Sequence, residues 1–373
     1  MLTRSLTFAG DDHDDIVYPA AIPFVLVHLA SLGILWSGVT WTAVALGVGL
    51  WAARMVIITA GYHRYFSHRT YQTSRVFQFI LGFLCQTSLQ KGILWWAAKH
   101  RHHHKYSDTP TDAHSPREHG FWFAHVGWIF ARQRGVADYQ LVRDLSAYPE
   151  LAWLDKHKHF PGVVLAVACF LIAGWPGLFV GFFLSTSFLY HSAFSINSLA
   201  HQFGRRRYAT GDDSRNNWWL ALLTMGEGWH NNHHYYQSST RQGFRWYEID
   251  ATFYILKVMS WMGIVWDLKS PPPEVIRGER RLSRTAIDKV ARDLAGTFSI
   301  ESIAEPLQKA WAGRPTLPSL DELLAELPDL EELRRRTQEM FAHTPSFEEI
   351  AERTRELLAD AVSIRLFGEP LPA

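Results

Sequence analysis

The run Trp95-Trp96-Ala97-Ala98-Lys99-His100-Arg101-His102-His103-His104 carries an apolar segment directly into three histidines spaced H-x-x-H-H. On a helix the fourth and fifth positions of that pattern lie about 60° and 40° around the axis from the first, so His100, His103 and His104 project from one face. His102 falls about 200° from His100 and reads as a spacer. The same spacing returns at His230, His233 and His234, and a looser pair, His63 and His68, precedes both. Two triplets and a pair hold more imidazole nitrogens than one tetrahedral ion uses, so the count favours two metals. Imidazole suits iron, copper, zinc and nickel alike, which leaves the element open.

Outward from the histidines the chain is apolar in blocks. Residues 18–36, 40–59, 162–173 and 177–196 read as four membrane spans in two hairpins, turned at Ser37-Gly38-Val39 and Gly174-Trp175-Pro176. The turns carry no basic residue, whereas the stretch joining the hairpins holds Arg64, Arg69, Lys99, Arg101, Lys105 and Lys156 among others. By the positive-inside rule, both termini and every histidine group are expected on the cytoplasmic side of a multi-pass protein. The expected fold is all-α, with a helical cytoplasmic cap. The acidic start, Asp11 to Asp15, lacks the basic flank of a signal peptide. Residues 76–94, apolar but broken by glutamines, and residues 247–266 are expected as helices lying in the interface, with a fifth span as the alternative for 247–266. Residues 1–269 then form a membrane domain, and 270–373, after Pro271-Pro272-Pro273, a charged extension with helical periodicity over 321–337 and 347–362. Two cysteines, Cys85 and Cys169, both in apolar runs, set disulfides and thiolate metal sites aside. A net charge of +1 without a basic stripe gives no sign of nucleic-acid binding. Within the spans, His28 and His191 read as neutral histidines facing neighbouring helices, and Arg54 as snorkelling or packing on the cap.

Three segments carry a family resemblance: Gly61-Tyr62-His63-Arg64-Tyr65-Phe66-Ser67-His68, the His100 run continued to Asp108, and Gly226-Glu227-Gly228-Trp229-His230-Asn231-Asn232-His233-His234. With Phe123-Ala124-His125-Val126-Gly127-Trp128 and Asn197-Ser198-Leu199-Ala200-His201, they resemble the histidine boxes of membrane fatty-acyl desaturases, nearest the delta-9, stearoyl-CoA type. The resemblance spans about residues 18–269. It implies two iron ions on nine histidines, with His201 as the ninth ligand beside His63, His68, His100, His103, His104, His230, His233 and His234. It also implies that Asn197 reaches a metal through water.

An unactivated methylene needs an oxidant stronger than any side chain, which iron-activated O2 supplies. The implied reaction takes two hydrogens from adjacent carbons of a saturated acyl chain, while two external electrons complete the reduction of O2 to water. The product is a cis double bond between carbons nine and ten. Adjacent methylenes differ little in chemistry, so an apolar tunnel must select between them. Candidate walls are Trp96, Trp128, Phe194 and Trp229, with Trp51 as a far stop. Glu227 and Asp108, each about one turn from a histidine, are candidates to orient imidazoles. Arg132 is the candidate contact for the carrier head group. Gln133 and the Ala98-Lys99 pair depart from the family's charged residues, which keeps acyl-lipid and acyl-carrier-protein substrates open beside acyl-CoA. His159-Phe160-Pro161-Gly162 carries a Phe that the haem-binding H-P-G-G lacks, so the electron donor is expected to be separate, of cytochrome b5, ferredoxin or rubredoxin type. Two rivals share some features: a di-iron fatty-acyl or alkane hydroxylase would use the same boxes, and a histidine-rich metal transporter would need polar residues along several spans.

Overall fold

The computed structural model describes residues 21–131, 136–278, 354–356, 358–360 and 362–364. The described architecture is helical, and its one sheet is two residues long on each side. Gln72–Thr73 (β1) pairs antiparallel with Val265–Trp266 (β2), Gln72 opposite Trp266 and Thr73 opposite Val265. The chain divides into two compact units. One takes the chain to Leu199 with Leu223–Met225 and Tyr254–Asp267; the other takes Ala200–Leu222, Gly226–Phe253 and the chain from Leu268.

In the first unit, α1 (Ile22–Ser31) and α2 (Ile34–Ser37) precede α3 (Trp41–Ile57). Thr40 caps α3, its hydroxyl accepting from the Ala43 N–H at 3.2 Å. α3 runs on into a π-helix, Ile58–Ser67, so that Trp41–Ser67 makes 27 continuous residues, long and apolar enough to cross a bilayer. Then come α4 (Arg75–Gln86), α5 (Ile93–Tyr106), α6 (Pro116–His119), α7 (Phe121–His125), α8 (Arg143–Ser146), α9 (Pro149–Lys156), α10 (Phe160–Pro176), a second π-helix (Gly177–Leu184) and α11 (Ser185–Ser198).

The stretch Phe160–His201 is also long and apolar enough to cross, but it is not one rod. Ala173 and Gly174 leave helical geometry, Gly174 at φ 60. A Cβ on Gly177 would stand 2.2 Å from the Cys169 carbonyl oxygen. Eight residues of unbroken helix would separate those positions by about 12 Å. The chain therefore folds back at the expected Gly174 turn, and only glycine permits so close an approach. Of the first apolar segment, residues 22–37 form two helical pieces, and 18–20 lie outside the described residues.

Two expectations change. Residues 76–94 are not a single helix, because Leu89 and Lys91 adopt positive φ and split them into α4 and the start of α5. Arg54 does not snorkel, the first of its two readings; it packs inward at 2% exposed, its Nη1 also donating to the Thr87 carbonyl at 3.4 Å, just past α4. Its guanidinium donates to Thr186 Oγ1 at 2.7 Å, Ser185 Oγ at 2.6 Å and the Leu50 carbonyl at 3.2 Å, which makes burial of the charge tolerable.

The second unit holds α12 (Trp218–Leu223, ending at the unit boundary) and α13 (His230–Tyr235). Its apolar core joins Tyr208, Tyr235, Phe244 and Val275. α14 (Ala251–Trp261), most of which falls to the first unit, has 11 residues, about 16 Å of helix, too short to cross a membrane. α15 (Pro273–Arg277) follows and ends on left-handed Gly278. The helix expected over 321–337 lies outside the described residues, as does most of 347–362 and the head-group candidate Arg132.

Candidate metal centre

In the first unit, His63 and His68 come from the π-helix, or its end, and His100 and His104 from α5. Five residues on an α-helix put two side chains about 140° apart. A π-helix closes i to i+5 hydrogen bonds instead. Here the His68 N–H donates to the His63 carbonyl at 3.2 Å, and the Ser67 hydroxyl to the Tyr62 carbonyl at 2.7 Å. The wider turn brings His63 and His68 to one face, their rings edge-on with centres 4.9 Å apart. One candidate ligand nitrogen from each of His63, His68, His100 and His104 lies within 4.8 Å of the other three.

The fit to a cation is direct. His100 Nε2 faces His68 Nε2 at 2.8 Å and His104 Nε2 at 2.9 Å. One ring nitrogen cannot donate a single proton to two equivalent partners at once, whereas all three lone pairs can point at one positive ion. Metal–imidazole bonds of 2.0–2.1 Å at right angles would set neighbouring nitrogens about 2.9 Å apart.

α5 is held in place from outside itself. The Asp155 carboxylate accepts from the Leu94 N–H at 2.9 Å and the Trp95 N–H at 3.1 Å, satisfying donors at the helix start. Gly92 admits that carboxylate, since a Cβ there would stand 2.1 Å from Asp155 Oδ1. Arg101, the second residue of the motif, donates to the carbonyls of Ser67 (2.8 Å), Phe66 (2.9 Å) and Leu141 (2.7 Å), and to both oxygens of Asp144. It thereby ties the end of the π-helix, and so His68, to the helix that carries His100. Trp96 stacks between Tyr62 and His100, at 5.1 and 5.0 Å.

His103 turns to a separate partner. Its Nδ1 lies 3.1 Å from each oxygen of Asp112, leaving Nε2 to face a metal. Burial works against the Asp112 charge, but His103 and His114 outweigh it and hold the carboxyl below its usual range. The expected orienting residue, Asp108, lies past the end of α5 at φ 56 and accepts from the Ser115 hydroxyl at 2.8 Å. His102 is half-buried, its ring 4.7 Å from that of Tyr106.

In the second unit His201 and the histidines of α13 are all buried. His201 Nε2 lies 3.1 Å from His230 Nε2, and ligand nitrogens of His201, His230 and His234 stand within 4.8 Å of one another. His233 rides on the same helix, its ring 5.6 Å from that of His234. Asp212 Oδ2 meets His234 Nδ1 at 2.6 Å. Here too burial opposes the charge and the facing imidazole prevails, so the carboxyl is held well below its usual range. The other face of α13 is pinned by two buried amides. Asn231 Oδ1 accepts from the N–H groups of Arg207 (2.8 Å) and Tyr208 (2.7 Å). Asn232 accepts from Asn216 Nδ2 (2.7 Å) and donates to the Gln242 carbonyl (2.9 Å) and to Glu248 (3.0 Å). Glu227, before the helix starts, accepts from Gln242 Nε2 at 3.2 Å.

A cavity of about 260 Å³ opens in the first unit. Its lining combines apolar Phe24, Trp96, Trp128, Tyr190 and Phe194 with His100 and Asn197, and with basic Lys91, Lys99 and Lys158. Of the expected tunnel residues, Trp96, Trp128 and Phe194 are on this wall. Trp51 is not; its indole N–H donates to Ser192 Oγ at 3.1 Å. In the other unit the Trp229 indole N–H donates to the Ile249 carbonyl at 2.8 Å.

Asp112, Asp212 and Arg101 escaped the sequence reading. The two aspartates reach their histidines across loops, where helical spacing has no bearing. Arg101 was visible within the motif, but its carbonyl partners were not.

The family described as Fatty acid desaturase matches residues 20–262. The chain is 36% identical over 252 residues to an sn-1 stearoyl-lipid 9-desaturase of Synechocystis sp., covering 67% of this chain and 79% of that protein. It is 34% identical over 267 residues to the sn-1 stearoyl-lipid 9-desaturase of Anabaena variabilis, covering 71% and 98%. It is also 35% identical over 236 residues to Acyl-CoA 5-desaturase AL21 of Anemone leveillei, covering 62% and 73%.

Proposed function

The chain belongs to the fatty acid desaturase family, membrane-associated oxidoreductases of fatty acyl chains, and from that premise we propose that it is an O2-dependent di-iron desaturase forming a cis delta-9 double bond. The observation that carries the metal assignment is the convergence of like imidazole nitrogens at 2.8 and 2.9 Å around His100. The proposed ligands of two iron ions are His63, His68, His100, His103, His104, His201, His230, His233 and His234, with Asn197 acting through water. Bound iron would supply the oxidising power, through O2, that no side chain has.

The protein supplies aim and exclusion of water. Phe24, Tyr190, Phe194, Trp96 and Trp128 give the cavity an apolar wall to hold a saturated chain extended. His100 and Asn197 share that lining, so a chain seated there presents its methylenes to the metal-binding side chains. Overall, one ethylene unit, O2, two electrons and two protons become one cis alkene and two waters.

Acyl-CoA is the proposed carrier. Lys91, Lys99 and Lys158 on the same lining suit an anionic head group, and burial together with nearby Lys158 brings the Lys91 ammonium down to about 8. Arg132 is proposed as a further contact. Electrons come from a separate donor of cytochrome b5, ferredoxin or rubredoxin type. The membrane domain is proposed to cover 1–269, with four spans in two hairpins and a cytoplasmic cap, and 270–373 to be an extension. The Gly174 fold-back supports the second hairpin.

Expression in a host that makes no unsaturated fatty acids tests the reaction. Mass spectrometry should find delta-9 alkenes; hydroxylated chains would favour the hydroxylase, and saturated chains alone would overturn the assignment.

A further inference from the structure

We propose that the Gln90 side-chain amide holds the carbonyl oxygen at the first carbon of the acyl chain, and so sets which carbons face the metal centre. The proposal deepens the desaturase reading and rests on it.

Gln90 belongs to a short connection held against its own backbone preference. Between α4 and α5, Leu89 and Lys91 adopt φ of 57 and 74, a region that residues other than glycine rarely occupy. Three buried side chains grip its alternate carbonyls. Arg54 Nη1, from α3, donates to the Thr87 oxygen at 3.4 Å; the Tyr190 hydroxyl, from α11, donates to Leu89 at 3.2 Å. The Tyr62 hydroxyl, from the first π-helix, donates to Lys91 at 2.7 Å. Gln86 closes the two ends, its Oε1 accepting from the Ile93 N–H at 3.2 Å. Strain fixed so firmly beside a cavity directs attention to the side chain it presents there.

That side chain is Gln90. It lines the cavity at 9% exposed, and its Nε2 meets no acceptor among the described residues. A buried donor left unpaired is costly, so an acceptor brought in by the occupant of the cavity gains more than a bond merely exchanged for water. The amide turns about a broad terminal torsion, which lets its nitrogen face that occupant.

The chemistry of the occupant names the acceptor. A saturated chain offers none along its methylenes, and acyl-CoA and acyl-lipids differ in their carriers. What they share is the carbonyl at carbon one. It joins an apolar chain to a polar carrier, and Gln90 stands at the matching junction of the wall. On one side Leu89 packs against the apolar cluster of Val27, Tyr190 and Phe194; on the other Lys91 joins Lys158 on the basic part of the lining. Each methylene of slip would move the double bond by one carbon, so a delta-9 product needs carbon one held.

The test loads the full chain with zinc, which has no redox chemistry and so prevents turnover. It offers two equimolar pairs: stearoyl-CoA with S-octadecyl-CoA, and 1-stearoyl- with 1-O-octadecyl-phosphatidylcholine. Within each pair only the carbonyl differs, and mass spectrometry reads the ratio retained. The expected wild-type ratio is about tenfold toward the carbonyl in at least one pair, and the pair that shows it identifies the carrier. Gln90→Met, close to glutamine in length, should remove the preference at unchanged zinc content. Trp128→Phe removes the other unpartnered donor on the lining and should keep the ratio, whatever it does to affinity. In the iron-loaded chain, Gln90→Met should spread the double bond to carbons on either side of the delta-9 position. No wild-type preference in either pair, a preference that survives Gln90→Met, or one lost in Trp128→Phe alone overturns the proposal. A wild type that forms no alkene sinks the desaturase reading instead, while the retained ratios still judge Gln90.

Discussion

Asp212 Oδ2 stands 2.6 Å from His234 Nδ1, and the other oxygen of the same carboxylate takes donors from Thr210 Oγ1 at 2.8 Å and Ser214 Oγ at 2.5 Å. A carboxylate fixed so firmly fixes the imidazole in turn, with Nε2 presented to a metal. Asp212→Asn should keep the shape and lose the charge. Metal affinity, measured by chelator competition, should fall about 10- to 100-fold, and Asp112→Asn should act similarly through His103.

Arg101 gives a second prediction, with a sign in pH. Burial pushes the Asp144 carboxyl up, but the Arg101 hydrogen bonds and charge, with Arg69, bring it below its usual range. A depressed carboxyl stabilises the fold above its unfolded pKa of about 3.9 and loses that contribution as pH falls through the lower folded value. Asp144→Asn should therefore melt below wild type from about pH 5 to 7, and the gap should close below about pH 4. The pair is partly exposed, so the gap should be about 1 kcal/mol or less. Arg101→Ala, which also orphans the Ser67 and Phe66 carbonyls, should cost about 1–3 kcal/mol more and lower iron content.

The cavity wall yields a third. Phe194 is 8% exposed and stacks on Tyr190 at 5.7 Å, so Phe194→Ala should enlarge the cavity. Gas chromatography should then show products shifted to longer or branched chains, at about 3–5 kcal/mol in stability. Trp51→Ala tests the proposed far stop separately. If it leaves the chain-length profile unchanged, Trp51 is not the stop.

Helical spacing made much of the centre legible. H-x-x-H-H put His100 and His104 on one face because α5 is a regular helix there. The same rule misled around it. His63 and His68 share a face only because the chain widens into a π-helix, which no period of 3.6 reveals. Asp108 and Glu227, chosen by counting one turn, both sit outside the helices that carry His104 and His230, since α5 stops at Tyr106 and α13 starts at His230; both stay proposed as orienting residues. The carboxylates that meet His103 and His234 come from loops, where position depends on tertiary packing. Hydropathy found the fold-back at Gly174 but not the break at Leu89–Lys91, since neither residue announces a positive φ.

Iron-edge X-ray absorption on the purified full chain, paired with metal analysis, addresses the central claim most directly. The account predicts two irons per chain in a first shell of imidazole nitrogen, with about half or more of the metal lost when His100→Ala and His230→Ala are each introduced. One metal per chain, or a shell dominated by carboxylate oxygen, would contradict it.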